Sequence, residues 1–274
     1  MSAMSCEYGV LGALELPLGL GLLRLSTEGR PAGADAIDVV RFALDQGVRI
    51  LDTADSYALD DRDMHYGERL VRKALEGWQG PREQVRVITK AGLARPKGRW
   101  VPNGRRDHLR RMVEGSLTAL GVERIFMVLL HANDPKTPLE ESLGALAELQ
   151  REGKVLHLGL CNTSIAEVRQ AERHFPVRAI QNELSVMDRG SGVEGLVALA
   201  RQLGVPFLAH RPLGGHAKTA NLLKNRAVKP IAARHGITPH EAALAALLDL
   251  GHPVIPLFGA TKRASVESSL RALR

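Results

Sequence analysis

The sequence contains few cysteines and few aromatic residues. Of its 274 residues, two are cysteines and 4% are Phe, Trp or Tyr. Cys6 and Cys161 are widely separated, which is unlike a disulfide framework, and neither has the spacing of a metal ligand. The histidines show no zinc-binding spacing either. The sequence therefore excludes a small disulfide-stabilised fold, predicts no metal, and favours a reducing compartment, the cytoplasm.

Long apolar runs and long basic runs are also missing. No apolar run approaches the roughly 20 residues of a membrane span, and residues 1–7 lack the basic and apolar regions of a secretory signal. The formal net charge is +7, but the basic residues are scattered among acidic ones and no nucleic-acid-binding motif occurs. We therefore expect no membrane and no nucleic-acid partner. The excess charge suits either a solvated surface or a phosphorylated small molecule.

Short apolar segments alternate with longer segments of helical periodicity along the whole chain. The predicted strands are Leu18–Arg24, Val48–Thr53, Val85–Lys90, Ile125–His131, Val155–Cys161, Ala179–Leu184, Val205–Ala209 and Val254–Phe258. Between them, Asp107–Gly121 has apolar residues at three- and four-residue spacing, which predicts an amphipathic helix. Thr137, Ser164 and Thr238 are each followed three residues later by Glu, a capping-box pattern that marks a helix start.

This alternation predicts an α/β fold with a parallel sheet, either open and doubly wound or closed into a barrel. The motif G-x-G-x-x-G after the first strand would favour an open dinucleotide-binding sheet. Gly19 and Gly21 supply only half of this motif, position 24 is arginine, and the expected helix does not follow. The sequence therefore predicts a single-domain (β/α)8 TIM barrel over residues 1–274, close to the typical length of about 250.

Polar residues stand at or just after the ends of five predicted strands and interrupt a sixth, Ala179–Leu184. They are Asp52, Tyr57, Lys90, His131, Cys161, Asn162, Gln181, Asn182, His210 and Arg211. Any one of them suits a loop or helix-capping role. In a (β/α)8 barrel, however, the carboxyl ends of all strands meet at one face, where active sites lie. We therefore expect these residues to converge on one pocket.

Four of these residues suit the reduction of a carbonyl group. Hydride addition places negative charge on the carbonyl oxygen, which then needs a proton donor and hydrogen-bond donors. Tyr57 is a candidate acid, and a nearby Lys90 ammonium would lower its pKa. Asp52 would hold Lys90, and His131 would orient the substrate. A serine hydrolase is disfavoured because G-x-S-x-G is missing, whereas a lyase or isomerase using Lys90 as a Schiff base stays open.

Several longer motifs occur in order along nearly the whole chain. They are Leu51–Tyr57, Tyr66–Leu70, Val87–Lys90, Leu129–His131, Gly153–Asn162, Ile180–Glu183, Arg211–Gly214 and Ile255–Gly259. This succession resembles the aldo-keto reductase family. The resemblance implies a (β/α)8 barrel that binds NADPH (NADP+) without a Rossmann domain and reduces a small-molecule aldehyde or ketone.

The resemblance also implies roles for individual residues. By position, the family's catalytic tetrad corresponds to Asp52, Tyr57, Lys90 and His131. The cofactor-binding positions correspond to Cys161, Asn162 and Gln181 at the nicotinamide carboxamide, His210 at its ring, Leu213 and Gly214 at the pyrophosphate, and Lys262 at the 2′-phosphate. Arg263, next to Lys262, is a second candidate for the 2′-phosphate.

The sequence departs from the family pattern at several positions. Cys161 replaces a serine, His210 replaces a stacking aromatic residue, and Ser268 and Ser269 replace a Glu-Asn pair at the adenine. The C-terminal substrate loop is predicted to be short. These departures leave a second function open, a cofactor-binding regulatory protein with little turnover.

Two segments after predicted strands have alternative roles. Trp100 either lines the substrate pocket or packs on the barrel rim. The basic segment His216–Lys229 either folds over the pyrophosphate or is a solvated loop.

Overall fold

Eight short apolar segments form parallel strands that close into a barrel. The computed structural model describes residues 7–187, 192–215, 222, 224–226 and 228–273. Among these residues the barrel strands are β1 (Gly19–Gly21), β2 (Ile50–Asp52), β3 (Arg86–Ala91), β6 (Ile125–Leu130), β7 (Val155–Cys161), β8 (Val177–Glu183), β9 (Phe207–His210) and β10 (Val254–Gly259). Each pairs in parallel with its neighbours in the order β1-β10-β9-β8-β7-β6-β3-β2. The predicted (β/α)8 barrel is confirmed.

Helices follow the strands and cover the outside of the barrel. They are α1 (Leu23–Ser26), α2 (Gly33–Asp45), α3 (Tyr66–Glu76), α4 (Arg106–Leu120), α5 (Leu139–Arg151), α6 (Ile165–Ala171), α7 (Val193–Leu203), α8 (Val228–His235), α9 (Pro239–Leu248) and α10 (Arg263–Arg271). The helix predicted at Asp107–Gly121 is confirmed as α4. Gly121 ends it with φ 70°, a left-handed conformation that glycine adopts without steric cost. Within the described part of the chain, none of the helices has both the length and the apolar content that crossing a membrane requires.

Two of the three predicted capping boxes are confirmed, and one is wrong. Ser164 and Thr238 each accept a hydrogen bond from the backbone N–H of the Glu three residues later, whose carboxylate accepts from the cap residue's N–H. Thr137 does not cap α5, because its hydroxyl donates instead to Asp134 Oδ2 at 2.8 Å. The loop carboxylate therefore outcompetes the helix end for this side chain.

The first predicted strand, Leu18–Arg24, is longer than the observed β1. Its last two residues belong to α1, a four-residue helix. The Ser26 hydroxyl donates to Leu22 O, four residues earlier, at 2.8 Å. A short helix thus follows the first strand, where the sequence predicts none. At four residues it is unlike the longer helix of a dinucleotide-binding sheet.

The core has an outer layer and an inner layer. The outer layer packs the helices against the barrel, and it includes Trp78, whose Nε1 donates to Asp45 Oδ1 at 2.7 Å. The inner layer fills the barrel itself. It consists of residues from the barrel strands together with three residues that precede β1: Ile50, Ile88, Met127, Leu129, Cys161, Ala179, Leu208, Ile255 and Leu257, with Tyr8, Leu11 and Leu14. Apolar side chains thus fill the interior, and the polar residues are left to the carboxyl end.

A small hairpin extends from the carboxyl end of β3. Its strands, β4 (Leu93–Ala94) and β5 (Val101–Pro102), pair antiparallel, with Leu93 opposite Pro102 and Ala94 opposite Val101. Residues 95–100 form its tip. The hairpin therefore places residues of the β3–α4 connection at the carboxyl face of the barrel.

Candidate active site

The alternation of side chains along the strands aims polar groups into the mouth of the barrel. Residues two positions apart on a strand share a face. Ile88 lies in the inner apolar layer, and Lys90 follows it on the same face of β3. The same step relates four further pairs: Ile50 to Asp52, Leu129 to His131, Ala179 to Gln181 and Leu208 to His210. The polar residues at the strand ends therefore continue the inward faces.

Lys90 lies at the centre of this polar layer and is fully buried. Its Nζ donates to Asp52 Oδ2 at 2.7 Å, to Thr53 O at 2.9 Å and to Tyr57 Oη at 3.2 Å. Burial acts to lower the pKa of Lys90, but the charge of Asp52, its hydrogen bond to Lys90 and the nearby Tyr57 and Cys161 groups together outweigh burial, and the net pKa is raised above its ordinary value. The side chain is accordingly an ammonium group that donates three hydrogen bonds.

The loop after β2 fixes the position of Tyr57. The backbone N–H of Gly67, in the first turn of α3, donates to Tyr57 O at 3.1 Å. A Cβ at position 67 would lie 2.5 Å from Thr53 Oγ1 and 3.2 Å from Tyr57 Cβ, so only glycine allows this approach. The helix start therefore holds the phenol ring against Lys90, with 8% of the residue exposed.

The pKa of Tyr57 is raised, contrary to the net lowering expected from Lys90. Burial raises the pKa of Tyr57 to about 12, although the Lys90 charge opposes this effect. Removing the phenol from water destabilises the phenolate more than the ammonium stabilises it. The hydroxyl is therefore protonated at neutral pH.

His131 lies beside Tyr57, with 5.9 Å between the ring centroids. Burial lowers the pKa of His131 well below its ordinary value, and the charge of Lys90 acts in the same direction. Its Nδ1 is 3.3 Å from the Ser56 hydroxyl. A neutral imidazole that accepts this hydrogen bond at Nδ1 carries its proton on Nε2, where it can donate to another group.

Trp100, at the end of the hairpin tip, forms one side of the site. Its ring centroid is 6.4 Å from those of Tyr57 and His131, and both contacts are edge-on. Trp100 is 44% exposed. The three rings thus surround one space at the carboxyl end of the barrel, with the indole as its most exposed side.

The candidate carboxamide-binding residues form a hydrogen-bonded chain that begins at Asp52. Gln181 Nε2 donates to Asp52 Oδ1 at 2.8 Å, and the Cys161 thiol lies 3.4 Å from Gln181 Oε1. Asn162 Nδ2 donates to His131 O at 2.9 Å, while Asn162 Oδ1 is 3.0 Å from His210 Nε2. Gln181 is buried, whereas the Asn162 amide is exposed at the mouth.

Burial governs the charge of two of these groups. It raises the pKa of Cys161 to about 12, so the free thiol is protonated. Burial, the Lys90 charge and Arg211 lower the pKa of His210 to about 3, so its imidazole is neutral. Cys161 and His210 are therefore neutral hydrogen-bonding groups rather than charges.

The candidate phosphate-binding residues follow the barrel strands β9 and β10. Gly214 has φ 79° and its N–H donates to Arg211 O at 2.7 Å, while Leu213 packs against the apolar cluster of Leu222 and Val228. Residues 216–221, 223 and 227 of the basic segment His216–Lys229, Lys218 among them, lie outside the described residues. The two roles considered for that segment therefore stay predictions.

Lys262 and Arg263 differ in their surroundings. Lys262 is exposed at the N-terminus of α10. Arg263 makes two hydrogen bonds to Asp38, one of them 2.7 Å from its Nε to Oδ2. No side chain caps the start of this helix, so Lys262 lies beside backbone N–H groups that point out of the first turn.

The two serines that replace the family's Glu-Asn pair have partners within the chain. Ser268 Oγ donates to Glu241 Oε1 at 2.9 Å, and Ser269 Oγ donates to Ser265 O at 3.0 Å.

Several polar residues around the site were not predicted from the sequence. Ser56 contacts His131, and Arg95 is fully buried beneath Trp100. Glu68, fully buried, accepts hydrogen bonds from Thr89 Oγ1 at 2.5 Å and lies 2.6 Å from His65 Nδ1. The charged residues Glu68 and Arg95 are of a type rarely buried without partners, but their sequence neighbours give no sign of their burial.

The chain is similar to known reductases along most of its length. It is 32% identical over 269 residues to the probable aldo-keto reductase 1 of Glycine max, covering 87% of this chain and 75% of that protein. Glycerol dehydrogenase AKR11B4 from Gluconobacter oxydans superposes with a TM-score of 0.80 at 25% identity, covering 94% of this chain and 86% of that one. An aldo/keto reductase from Klebsiella pneumoniae, solved with NADP and acetate, has a TM-score of 0.78 over 98% and 89% of the two chains; at 23% identity this likeness is one of fold alone.

The sequence model of the aldo/keto reductase family matches residues 17–274, which include every barrel strand and the four residues Asp52, Tyr57, Lys90 and His131. Both the extent of this match and the identity to the Glycine max protein establish the relationship. The chain belongs to the aldo/keto reductase family.

Proposed function

We propose that this protein reduces a small-molecule aldehyde or ketone to an alcohol with NADPH, and that Tyr57 donates the proton. The observation that carries the proposal is the Lys90 ammonium, which donates to both Asp52 Oδ2 and Tyr57 Oη. This arrangement gives a protonated phenol whose conjugate base has a fixed positive neighbour. If the pair of Lys90 and Asp52 were only a structural salt bridge, it would not need the Tyr57 hydroxyl as a further partner.

Each of the four residues has a distinct part in the proton transfer. Tyr57 gives its proton to the carbonyl oxygen as negative charge develops there. Lys90 stabilises the phenolate that forms, and Asp52 keeps Lys90 charged and oriented. His131 donates from Nε2 to the same carbonyl oxygen, since its Nδ1 faces Ser56. Solvent then returns a proton to Tyr57.

The residues present fit a nicotinamide dinucleotide phosphate. Asn162 offers an exposed amide beside Gln181, which suits a planar carboxamide, and the uncapped start of α10 with Lys262 suits a phosphate. When bound, NADPH supplies hydride to the carbonyl carbon. Asn162, Gln181 and Cys161 would hold its carboxamide, and His210 would lie against its ring. Leu213 and Gly214 would contact its pyrophosphate.

A Schiff-base mechanism is disfavoured by the state of Lys90. Such a lysine attacks as the neutral amine. Lys90 has a raised pKa and three acceptors around its Nζ. Proton loss would leave the Asp52 carboxylate buried and uncompensated.

The proposal is tested by following NADPH oxidation at 340 nm with a panel of aromatic and aliphatic aldehydes and ketones. We expect turnover that depends on both the carbonyl compound and the enzyme. Tight NADPH binding without turnover of any carbonyl compound would favour the regulatory alternative.

We further propose that residues 1–274 act as one domain. We also propose that the protein works in the cytoplasm, which its low cysteine content favours.

A further inference from the structure

Arg95 is a buried cation that joins three loops at the mouth of the barrel. Its guanidinium carbon lies 3.7 Å from the centroid of the Trp100 ring. Its Nη2 donates to Glu28 Oε1 at 2.8 Å, after β1, and to Ala58 O and Leu59 O at 3.0 Å, after β2. One side chain therefore links the Trp100 hairpin to the loop that carries Tyr57.

The hairpin geometry explains why these two residues meet. Arg95 follows β4 and Trp100 precedes β5, so they are the first and last residues of the tip. Inside the tip, Gly98 has φ 77°, and a Cβ there would lie 3.2 Å from Leu59 O. The tip thus leans on the loop after Tyr57, and Arg95 lies between them.

Burial of Arg95 is hard to explain as a contribution to stability alone. Its Nε and Nη1 are buried without a hydrogen-bond partner, and its acidic partner Glu28 is largely exposed. An apolar side chain of similar length would fill the same space without the desolvation of a charge. An apolar side chain would supply neither the hydrogen bonds to Ala58 O and Leu59 O nor the attraction between a planar cation and the indole face.

Trp100 needs this contact with Arg95 to keep its position. It lies on a hairpin whose strands have two residues each, and its contacts with Tyr57 and His131 are only edge-on. A hairpin this short is weakly stable by itself. Exposed to solvent over nearly half its surface, the indole would otherwise leave the side of the site.

We propose that Arg95 is a positioning residue that holds Trp100 in the wall of the active site and thereby sets the affinity for the carbonyl substrate. The effect on substrate rests on the proposed function, whereas the effect on Trp100 does not. Arg95 therefore acts through Trp100 and does not itself contact the reacting atoms.

The first test uses the fluorescence of Trp100. Trp78 and Trp100 are the two tryptophans of the chain, so Trp78→Phe makes Trp100 the single emitter. In this background we expect Arg95→Met to increase acrylamide quenching of Trp100 by about twofold, because the freed ring becomes more accessible. Arg95→Lys, which keeps the charge but not the planar stack, should show an intermediate increase. Arg99→Met, an exposed arginine on the same tip, is the matched control.

The second test is a double-mutant cycle on the Michaelis constant. With benzaldehyde, Arg95→Met should raise KM by about tenfold while kcat changes little, as expected for the loss of a binding wall rather than of the acid. Trp100→Ala should raise KM similarly. Adding Arg95→Met to Trp100→Ala should cause no further rise in KM, because Arg95 acts on the substrate through Trp100.

Three results would overturn the proposal: unchanged quenching in both Arg95 variants, a similar increase in Arg99→Met, or additive effects on KM in the cycle. Should Arg95→Met fail to fold, as judged by circular dichroism, Arg95→Lys carries both tests. A wild-type enzyme without carbonyl turnover would instead defeat the proposed function, and the fluorescence result would still decide the role of Arg95.

Discussion

The Lys90 ammonium lies 3.2 Å from the Tyr57 hydroxyl in a setting that keeps the hydroxyl protonated. Burial raises the pKa of Tyr57 to about 12 despite the nearby charge. The ammonium therefore does not ionise the phenol in advance. Under the proposed function, its stabilising effect is realised only as negative charge forms on Tyr57 Oη, that is, during proton transfer to the carbonyl substrate.

Replacing Tyr57 by Phe should abolish most carbonyl reduction and leave NADPH binding largely intact. The change removes the proposed proton donor but retains the ring that packs against His131. We expect kcat to fall by about 10²–10⁴-fold, the usual contribution of general acid catalysis. Quenching of protein fluorescence by NADPH gives the binding constant. Tyr66→Phe, at the neighbouring start of α3, is the control, and near-normal turnover by Tyr57→Phe would refute the acid assignment.

Replacing Asp52 by Asn should destabilise the fold strongly. Asp52 is the carboxylate partner of the fully buried Lys90, and its other oxygen accepts from Gln181. Breaking a buried pair leaves a charge without compensation, which costs about 3–5 kcal/mol in free energy of unfolding. Urea denaturation measures this loss.

Asp38→Asn, which breaks the exposed ion pair with Arg263, should cause a far smaller loss because solvent screens that pair. Equal losses in the two variants would contradict the argument about burial.

The sequence predicts the residues at the centre of the site because the alternation of side chains along a strand determines which of them point inward. In Ile88-Thr89-Lys90 and Ile50-Leu51-Asp52, the two-residue alternation that buries the isoleucine also directs the polar residue inward. Once eight strands are recognised, their carboxyl ends must meet. Asp52, Lys90 and His131 therefore follow from local pattern and barrel topology together.

The residues that were missed depend on contacts between loops. Arg95 contacts Glu28, 67 positions earlier, and Leu59 through its backbone carbonyl, which has no side-chain signature. The Thr137 error has the same origin, since Asp134 in its own loop takes the hydroxyl that the capping pattern assigns to the helix. Local patterns do not encode which of two available partners a polar group chooses.

Replacing Lys262 by Ala should weaken the binding of NADPH and leave that of NADH little changed. Lys262 is exposed at the uncapped start of α10, where an anionic group is favoured by both the ammonium and the helix end. We expect the dissociation constant of NADPH to rise by about tenfold, as for the loss of one charged hydrogen bond. Fluorescence titration with both cofactors measures it, and equal losses for the two would defeat the assignment to the 2′-phosphate.

Stability should fall as the pH is lowered, in part because His131 stays neutral in the folded protein. In the unfolded chain a histidine titrates near pH 6.5, whereas burial and Lys90 hold the pKa of His131 well below this value. Below about pH 6.5 the unfolded chain therefore binds a proton that the folded protein excludes. The free energy of unfolding should decrease by up to about 1.4 kcal/mol per pH unit from this residue, until the pH reaches the folded-state pKa.

Urea denaturation of the wild type and of His131→Gln, at pH values of about 7, 6 and 5, isolates this contribution, because the other titrating groups are common to both proteins. Glutamine is neutral in both states, so the variant should lose stability less steeply as the pH falls. His210, whose pKa is lowered to about 3 by burial first and then by Lys90, should produce a residual slope of the same sign in the variant. Parallel pH profiles for the two proteins would mean that His131 takes up its proton at the same pH in the folded protein as in the unfolded chain, and the argument that burial and Lys90 hold its imidazole neutral would then fail.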